Sequence, residues 1–470
     1  MFDIPDFNVD AFAGQSDKEE YTDLIKALTT GSTYGLTDQT GGAALRLESL
    51  QATLKSATFQ EQSATMWRMI PKVKAASTVE EYAKWHEVGD AEFYTEGGLP
   101  QEFDSVYERK YEVVKFLGAV GKVSNPAQAV KSLMDLKAQE TLSRTLGIIR
   151  KVNKSIYFGD ATVNSMEFSG MFKKVLTDAS TNIIDLYGKR LRLEEINQGA
   201  TTILDNYGVP THLFMAPVAK RYYVDELIAS KTYFVNDQSA SRIGINPNQW
   251  MVANGEGIVY TDVFLRTMDP ASPVKNQAGT WVKQPGQPPT AATSSKAPAT
   301  PSIGSVTTPA DGSSVFLTGD ATNYDYSITA VNQYGESAPV TSTSNAVAAG
   351  DKVVLPVTEG GGAYAATGYK VYRKKTTEST YYYAFQVAYS ASPQNVEDYN
   401  LYRHNTTMAF MLDFSPNQVI AYHQLLPFFS MPLAIIDDSI RWLQKLYGVL
   451  MVYNPLKIVI FKNIGGTAHS

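Results

Sequence analysis

The sequence predicts an α+β protein whose mixed part is interrupted by an all-β sandwich. Three observations carry that prediction. Val130, Leu133, Met134, Ala138, Leu142, Leu146 and Ile149 recur at three- and four-residue spacing, the apolar stripe of one long amphipathic helix. Pro285, Pro288, Pro289, Pro298, Pro301 and Pro309 fall among Ala, Thr and Ser, which is linker composition. Beyond that linker helical signals vanish until about residue 415, and short runs at 315–318, 324–331, 352–355, 368–373 and 381–387 alternate with turns, the pattern of a β-sandwich.

Composition narrows the class. A chain of 470 residues, 44% hydrophobic and 11% aromatic, has material for two or three packed domains. Without cysteine it has no disulfide scaffold, no cysteine-ligated zinc or iron–sulfur cluster and no thiol nucleophile. A formal net charge of −6 argues against non-specific DNA binding by the chain as a whole. The richest apolar stretch, 425–436, is broken by Pro427 and Pro432, so no membrane span is expected. The first residues lack the basic start and apolar core of a signal peptide, and the chain reads as soluble and cytosolic.

In chain order, residues 1–60 are small, polar and acid-rich at the outset (Asp3, Asp6, Asp10, Asp17, Glu19, Glu20). They read either as an arm ordered against another subunit or as a loose terminus. From 80 to 112 ten carboxylates face three bases, interleaved with Tyr82, Trp85, Phe93, Tyr94, Phe103, Tyr107 and Tyr111. Gly97-Gly98-Leu99-Pro100 is a turn signal between two extended arms, so 79–115 reads as a long hairpin whose aromatic content favours docking on another surface.

The long helix then starts at Asn125 and Pro126, a cap and a first-turn proline, with Gln128 placed for a capping box. It runs to about 156, a rod of roughly 45 Å at a rise of about 1.5 Å per residue. Its polar face is basic: Lys131, Lys137, Arg144, Arg150, Lys151 and Lys154 outnumber Asp135 and Glu140. Helices at 193–207 and 218–228 and strands at 212–215 and 257–266 make 190–280 mixed α+β. After the sandwich, 408–464 resumes that mixture and closes with strand-like runs at 447–453 and 457–461 around Asn454-Pro455.

No catalytic or metal-binding arrangement stands out. Gly118-Ala-Val-Gly121-Lys122 lacks the gap and the hydroxyl of a phosphate loop. His86, His212, His404, His423 and His469 are scattered and show no ligand spacing. Ten acids on a hairpin are better explained electrostatically than as acid–base machinery, which needs a paired, partly buried geometry. Asp437-Asp438 reads as a helix N-terminus. No cofactor is expected.

The order of these parts, with the phrases 442–450 (Trp442 to Leu450) and 454–464 (Asn454-Pro455 to Ile464), resembles the major capsid proteins of tailed bacteriophages, the Hong Kong 97 fold. The resemblance implies an N-terminal arm at 1–60 and an extended loop at 61–120. It implies a peripheral domain at 121–189 with spine helix 126–156, and an axial domain at 190–295 and 403–444. The closing strands at 445–470 would rejoin the peripheral domain. The phrases Tyr324 to Ser337 and Gly368 to Arg373 resemble strands of an immunoglobulin-like or fibronectin type III-like domain in reversed order, so 296–402 is expected to be an inserted, permuted sandwich. Some members of the family crosslink through a loop-tip lysine; none occurs from 88 to 108.

The function so implied is structural. Pentamers and hexamers of an icosahedral head would enclose double-stranded DNA, contacted non-specifically, with the sandwich projecting outward. The partners would be further copies of the chain, a separate scaffolding protein, a portal and decoration proteins, within a virion assembled in the host cytoplasm and with no membrane. Glu80, Glu81, Trp85, Glu87, Phe93, Tyr94, Phe103 and Tyr107 would make the intersubunit contact, and the six cations of the helix would face a neighbour's hairpin or DNA. Two rivals differ in class: a surface adhesin whose sandwich binds glycan through exposed Tyr381-Tyr382-Tyr383, and a phage tail-tube or decoration protein, which the long helix disfavours.

Overall fold

The computed structural model describes residues 64–87, 90–99, 101–126, 136–230, 247–265, 274–275, 281–283, 287–403, 406–414, 419–434 and 437–466. The N-terminal segment 1–60 lies outside them, as do residues 127–135 of the expected helix, Lys131 included. A short helix α1 (Thr65–Met69) leads into strands β1 (Lys72–Lys74), β2 (Val79–Glu87), β3 (Val106–Val113) and β4 (Lys115–Ser124). Helices α2 (Leu136–Phe158) and α3 (Met171–Asp178) follow, then β5 (Ile183–Asp185), α4 (Leu193–Asp205), β6 (His212–Met215), α5 (Pro217–Ala229), β7 (Gln249–Val252) and β8 (Gly255–Thr261). Strands β9 (Val274–Lys275) and β10 (Trp281–Lys283) pair with each other.

The sandwich comprises β11 (Ser302–Ile303), β12 (Thr322–Val331), β13 (Val340–Val347), β14 (Val353–Thr358), β15 (Gly368–Lys375), β16 (Tyr382–Ala388) and β17 (Gln394–Asp398). The chain closes with β18 (Thr407–Leu412), β19 (Ile420–Pro432), β20 (Ser439–Val452) and β21 (Ile458–Ile464).

Two sheets frame the α+β part. One has the order β1-β19-β20-β4, and the other β5-β21-β18-β6-β8-β7. The segments read as single pieces after the sandwich therefore divide. Strand β18 joins the six-stranded sheet and β19 the four-stranded one, and of the two closing runs β20 goes to the four-stranded sheet and β21 to the six-stranded one. Asp437-Asp438, read as a helix start, instead precedes strand β20, where the Asp437 carboxylate takes hydrogen bonds from Lys122, Ser439 and Arg441. Local acids cannot make a helix there, because the residues after them pair with β4 along its whole length. At Gly121 a side chain would collide with the Trp442 ring, 2.4 Å from where its Cβ would stand, so glycine is what lets the indole cross β4.

Helix α2 buries its second half, Ile148, Ile149, Val152, Ile156 and Tyr157, while Leu142 in its first half is exposed. The buried half meets a carboxylate with no cation paired to it among the described residues. Asp262, just after β8, is fully buried and accepts from the backbone of Met66 (3.2 Å) and Phe264 (2.9 Å), from Asn153 Nδ2 (3.0 Å) and from the Tyr157 hydroxyl (3.1 Å). Asn153 Oδ1 in turn accepts from Trp67 N at 2.8 Å. Burial raises the Asp262 pKa, and the donated hydrogen bonds only partly offset it.

The sandwich has its own hydrophobic core, separate from the α+β core. Its sheets are β13-β12-β15-β16 and β11-β14-β17, all pairings antiparallel. Between them Arg373, fully buried, donates to Asp398 (2.6 Å), Asn400 (2.7 Å) and the Tyr402 carbonyl (2.9 Å) and lies over the rings of Phe316 and Tyr324. The Tyr326 hydroxyl and the Asn400 backbone N–H also donate to Asp398, at 2.9 and 2.8 Å. The sandwich is tied to its host by the Arg403–Asp320 ion pair (2.6 Å) and by Thr367 Oγ1 on the Val163 carbonyl (2.5 Å).

Two substitutions test these buried groups. Asp262→Ala leaves four donors without an acceptor and is expected to cost about 3 kcal/mol or more, with Asp262→Asn milder because one oxygen remains. Arg373→Met strands a buried carboxylate and is expected to cost about 3–5 kcal/mol, most of it recovered in Arg373→Met/Asp398→Leu. Urea midpoints at constant slope check both.

Candidate interaction surface

Among the described residues no group of three or more His, Asp or Glu is placed to hold a metal ion, and no helix is long and apolar enough to cross a membrane. His212 is packed, stacked on Phe214, Tyr260 and Phe414, and burial lowers its pKa. The phosphate-loop-like run 118–124 is paired strand. His404 and His469 and the side chain of His86 lie outside the described residues.

The features left at the surface are those of the hairpin. Strands β2 and β3 pair antiparallel from Val79↔Val113 to Glu87↔Val106, and the chain turns between them at Gly97, whose φ of 82° suits glycine. Trp85 and Tyr107 stand opposite in register and stack, centroids 6.0 Å apart, both exposed. Farther out Phe93 (109% exposed) and Leu99 (93%) have no cover, and Tyr94 and Phe103 are exposed beside them. These exposed large apolar side chains make the outer hairpin the candidate interaction surface.

The predicted charges sort by position. Glu80, at the hairpin root, is engaged within the subunit: it accepts from the backbone of Ala76 (2.7 Å) and Ser77 (3.0 Å) and faces His423 Nδ1 at 2.9 Å. Burial alone would raise its pKa, but these bonds outweigh burial and hold it below the usual value. Glu81 is answered across the hairpin by Arg109, Glu112 by Lys174, and Lys110 donates to Asp178 at 3.2 Å. The side chain of Glu87 lies outside the described residues. Glu92, Glu96, Glu102 and Asp104, toward the tip, are exposed and form no ion pair among the described residues.

The helix cations are likewise partly used. Arg144 pairs with Glu140 one turn earlier. Lys151 reaches Glu167 at 3.1 Å; burial would raise the Glu167 pKa, but Lys151, Ser155 and Lys154 bring it below its ordinary value. Arg150 is half-buried, which lowers its pKa, and Lys137 is exposed. The hairpin carboxylates and the helix cations form no ion pair with each other among the described residues; α3 answers the hairpin instead. Sequence reasoning missed Lys174, Asp178 and His423 as these partners, since nothing local announces contacts so distant in the chain.

It also missed an open sheet face. Phe116, Val120, Leu426 and Met431 are exposed, and Lys445 lies over the rings of Phe429 and Tyr447. The alternation of Phe116, Gly118, Val120 and Lys122 was the available signal. On the sandwich, Tyr381, Tyr382 and Tyr383 are half-buried rather than exposed, Tyr381 beneath Lys374 and Tyr383 edge-on to Tyr372, because β16 packs on β15 and the host core. The feature that would have favoured a glycan-binding adhesin is therefore absent at that position.

No family model matches the chain. It is 24% identical over 463 residues to major capsid proteins of Staphylococcus phages S25-3 and K, covering 94% of this chain and 95% of each relative. A protein of Enterococcus phage phiEF24C is 25% identical, covering 94% of both chains. Among solved structures, one from Microbacterium phage Oxtober96 aligns with 90% of this chain and 97% of its own at a TM-score of 0.48 and 8% identity. An encapsulin complex from Synechococcus elongatus aligns with 91% and 96% at a TM-score of 0.42 and 8% identity. The resemblance to the major capsid proteins of phages, read from the order of the parts and the phrases in the closing strands, is thus borne out along 94% of the chain.

Proposed function

We propose that this chain is a structural capsid subunit that self-associates into the pentamers and hexamers of an icosahedral phage head around double-stranded DNA. One observation carries the reading beyond likeness: a hairpin whose outer half holds exposed apolar rings and carboxylates that no cation among the described residues neutralises. An isolated hairpin of that kind is marginal in water and is stabilised by lying on a neighbour. Burying it would contribute an interface of order 1,000 Å², the size at which specific association becomes stable, and closed symmetry multiplies that contact around the shell.

In this reading 1–60 is the N-terminal arm, 61–120 the extended loop and 121–189 the peripheral domain; 190–295 and 403–444 form the axial domain, and the strands from 445 rejoin the peripheral part. The sandwich 296–402 is an inserted immunoglobulin-like domain projecting outward. Trp85, Phe93, Tyr94, Phe103 and Tyr107 supply the apolar contact. Lys131, Lys137, Arg144, Arg150, Lys151 and Lys154 on the helix face a neighbour's hairpin or packaged DNA, contacted without sequence preference. A scaffolding protein, a portal and decoration proteins complete the head, assembled in the bacterial cytoplasm.

Charge reversal separates folding from assembly on the same hairpin. Glu80→Lys is expected to destabilise the free subunit by about 2–3 kcal/mol, since it strands two N–H donors and His423. Glu81→Lys should change stability by no more than about 0.5 kcal/mol, as exposed pairs do. Reversing Glu92, Glu96, Glu102 and Asp104 together should leave the subunit's melting curve unchanged and lower shell yield about tenfold, the factor for about 1.4 kcal/mol of lost contact. Negative-stain electron microscopy of expressed protein reads the yield; wild-type numbers of shells from the quadruple variant would sink the electrostatic part. Retained shells in Trp85→Ser/Phe93→Ser would sink the apolar part.

A further inference from the structure

Strand β20 alternates between the two sides of the four-stranded sheet. On one side Gln444 meets helix α2, donating to the Thr141 carbonyl at 3.1 Å and accepting from the Thr145 hydroxyl at 3.2 Å, and Leu446 is fully buried. Leu443, Lys445 and Tyr447 therefore stand on the side away from the helix. Register carries that side across three strands. Tyr447 lies between Phe116 and Leu426, Lys445 between Gly118 and Phe429, and Leu443 between Val120 and Met431. Phe116 packs edge-on to Tyr447, centroids 4.7 Å apart, and is still 62% exposed; Val120 is 51% exposed. The result is an apolar sheet face open to water.

A cation sits in the middle of it. The Lys445 ammonium lies 5.8 Å from the Phe429 ring centroid and 5.9 Å from that of Tyr447, and forms no ion pair among the described residues. Gly118, its register partner on β4, puts no side chain beside it. Arg441 and Lys122, at the end of the face, are already occupied by Asp437. The outer hairpin has the complementary composition. Its exposed rings, Phe93, Tyr94 and Phe103, are interleaved with Glu92, Glu96, Glu102 and Asp104, which pair with no cation among the described residues. The two surfaces leave each other uncovered within one chain, since Phe93 and Phe116 are both exposed.

We propose that the outer hairpin of one copy lies on this open sheet face of a second copy, with Lys445 as the cation that receives its tip carboxylates. The inference rests on the capsid reading above and names the surface that the hairpin meets. Docked rings would take Phe116, Val120, Leu426 and Met431 out of water, and the same step would desolvate Lys445. A carboxylate arriving with the rings supplies the charge-assisted hydrogen bonds that the ammonium then needs, while Phe429 and Tyr447 hold it in place from below. Hairpin and sheet face are different patches, so the contact is head-to-tail and repeats around a ring when the rotation closes. Helix α2 covers the opposite side of the sheet, so its cations belong to another surface and are left to packaged DNA.

Zero-length carbodiimide coupling of assembled particles, followed by peptide mass mapping, reads which amine the tip touches, because it joins only a carboxylate and an amine already in contact. Lys445 is expected to couple to Glu92, Glu96, Glu102 or Asp104 in particles and not in the unassembled chain. Coupling of the tip to Lys131, Lys137, Lys151 or Lys154 in its place, or particles without the Lys445 product, would overturn the docking. Charge exchange is the second test. Lys445→Glu should lower the number of particles about tenfold with an unchanged melting curve, and reversing the four tip acids to lysine in the same chain should recover most of that loss. Lys445→Gln removes the charge without reversing it and should lower the number by a smaller factor, which keeps the test sound if Lys445→Glu does not fold. Unchanged numbers in Lys445→Gln and Lys445→Glu, or no recovery in the combined variant, would also overturn it. Particles are counted by negative-stain electron microscopy before coupling, so a wild-type chain that builds none, which ends the capsid reading itself, is told apart from particles built through another surface.

Discussion

The fold of the α+β part depends on a buried carboxylate that has no cation among the described residues. Asp262 follows β8, and its donors come from three places: α1 through Met66, α2 through Asn153 and Tyr157, and the turn after β8 through Phe264. A buried charge without a counter-ion is tolerated only where donors surround it, so these segments are fixed relative to one another by a polar requirement. The apolar contacts of Ile148, Val152 and Ile156 would permit α2 to slide or rotate; the hydrogen bonds of Asn153, which donates to Asp262 and accepts from Trp67, do not. Because α1 leads directly into β1 and the hairpin, the direction in which the hairpin leaves the molecule is set from the same centre.

The sandwich solves a similar problem by different means. Its buried charge is paired, Arg373 to Asp398, and the ring faces of Phe316 and Tyr324 cover the guanidinium. A buried ion pair is weak evidence for stability but a strong constraint on register, because slipping β15 by one residue would turn Arg373 out of the core and leave Asp398 alone. The two cores are separate and each has its own polar anchor, which lets the sandwich sit within the chain of the α+β part without either core completing the other.

Much of this was legible where one face of an element is buried and the period shows. The stripe ending at Ile149 marked α2, and the runs at 324–331, 352–355, 368–373 and 381–387 marked β12, β14, β15 and β16, whereas the run at 315–318 forms no strand and β13 and β17 were not marked. Long-range pairing was not legible. Pro427 and Pro432 read as breaks, yet β19 runs through both. Strand β1 flanks β19 only at 422–424, so the prolines fall where one edge has no ladder to interrupt, beside register shifts that absorb the distortion. Asp437-Asp438 misled because acids before an apolar run suit a helix start as well as a strand start. Glu80 was singled out for its charge but assigned to a neighbour, since its partner His423 lies 343 residues away in sequence.

That reassignment changes how the hairpin is understood. A block of ten acids looks uniform in sequence, but burial and partners divide it. Root carboxylates such as Glu80 and Glu112 are spent inside the subunit, where they hold the hairpin to β19 and α3. Tip carboxylates are solvated and unpaired, and solvated charges cost little to the free chain while their field extends about 8 to 10 Å at physiological salt. The same residue type therefore does opposite work at the two ends of one element: it stabilises the fold at the root and remains available to a partner at the tip. Trp85 and Tyr107 sit at the changeover, exposed and stacked on each other. A hairpin built this way can be firmly rooted in the free subunit and still keep its outer half uncommitted until another surface covers it.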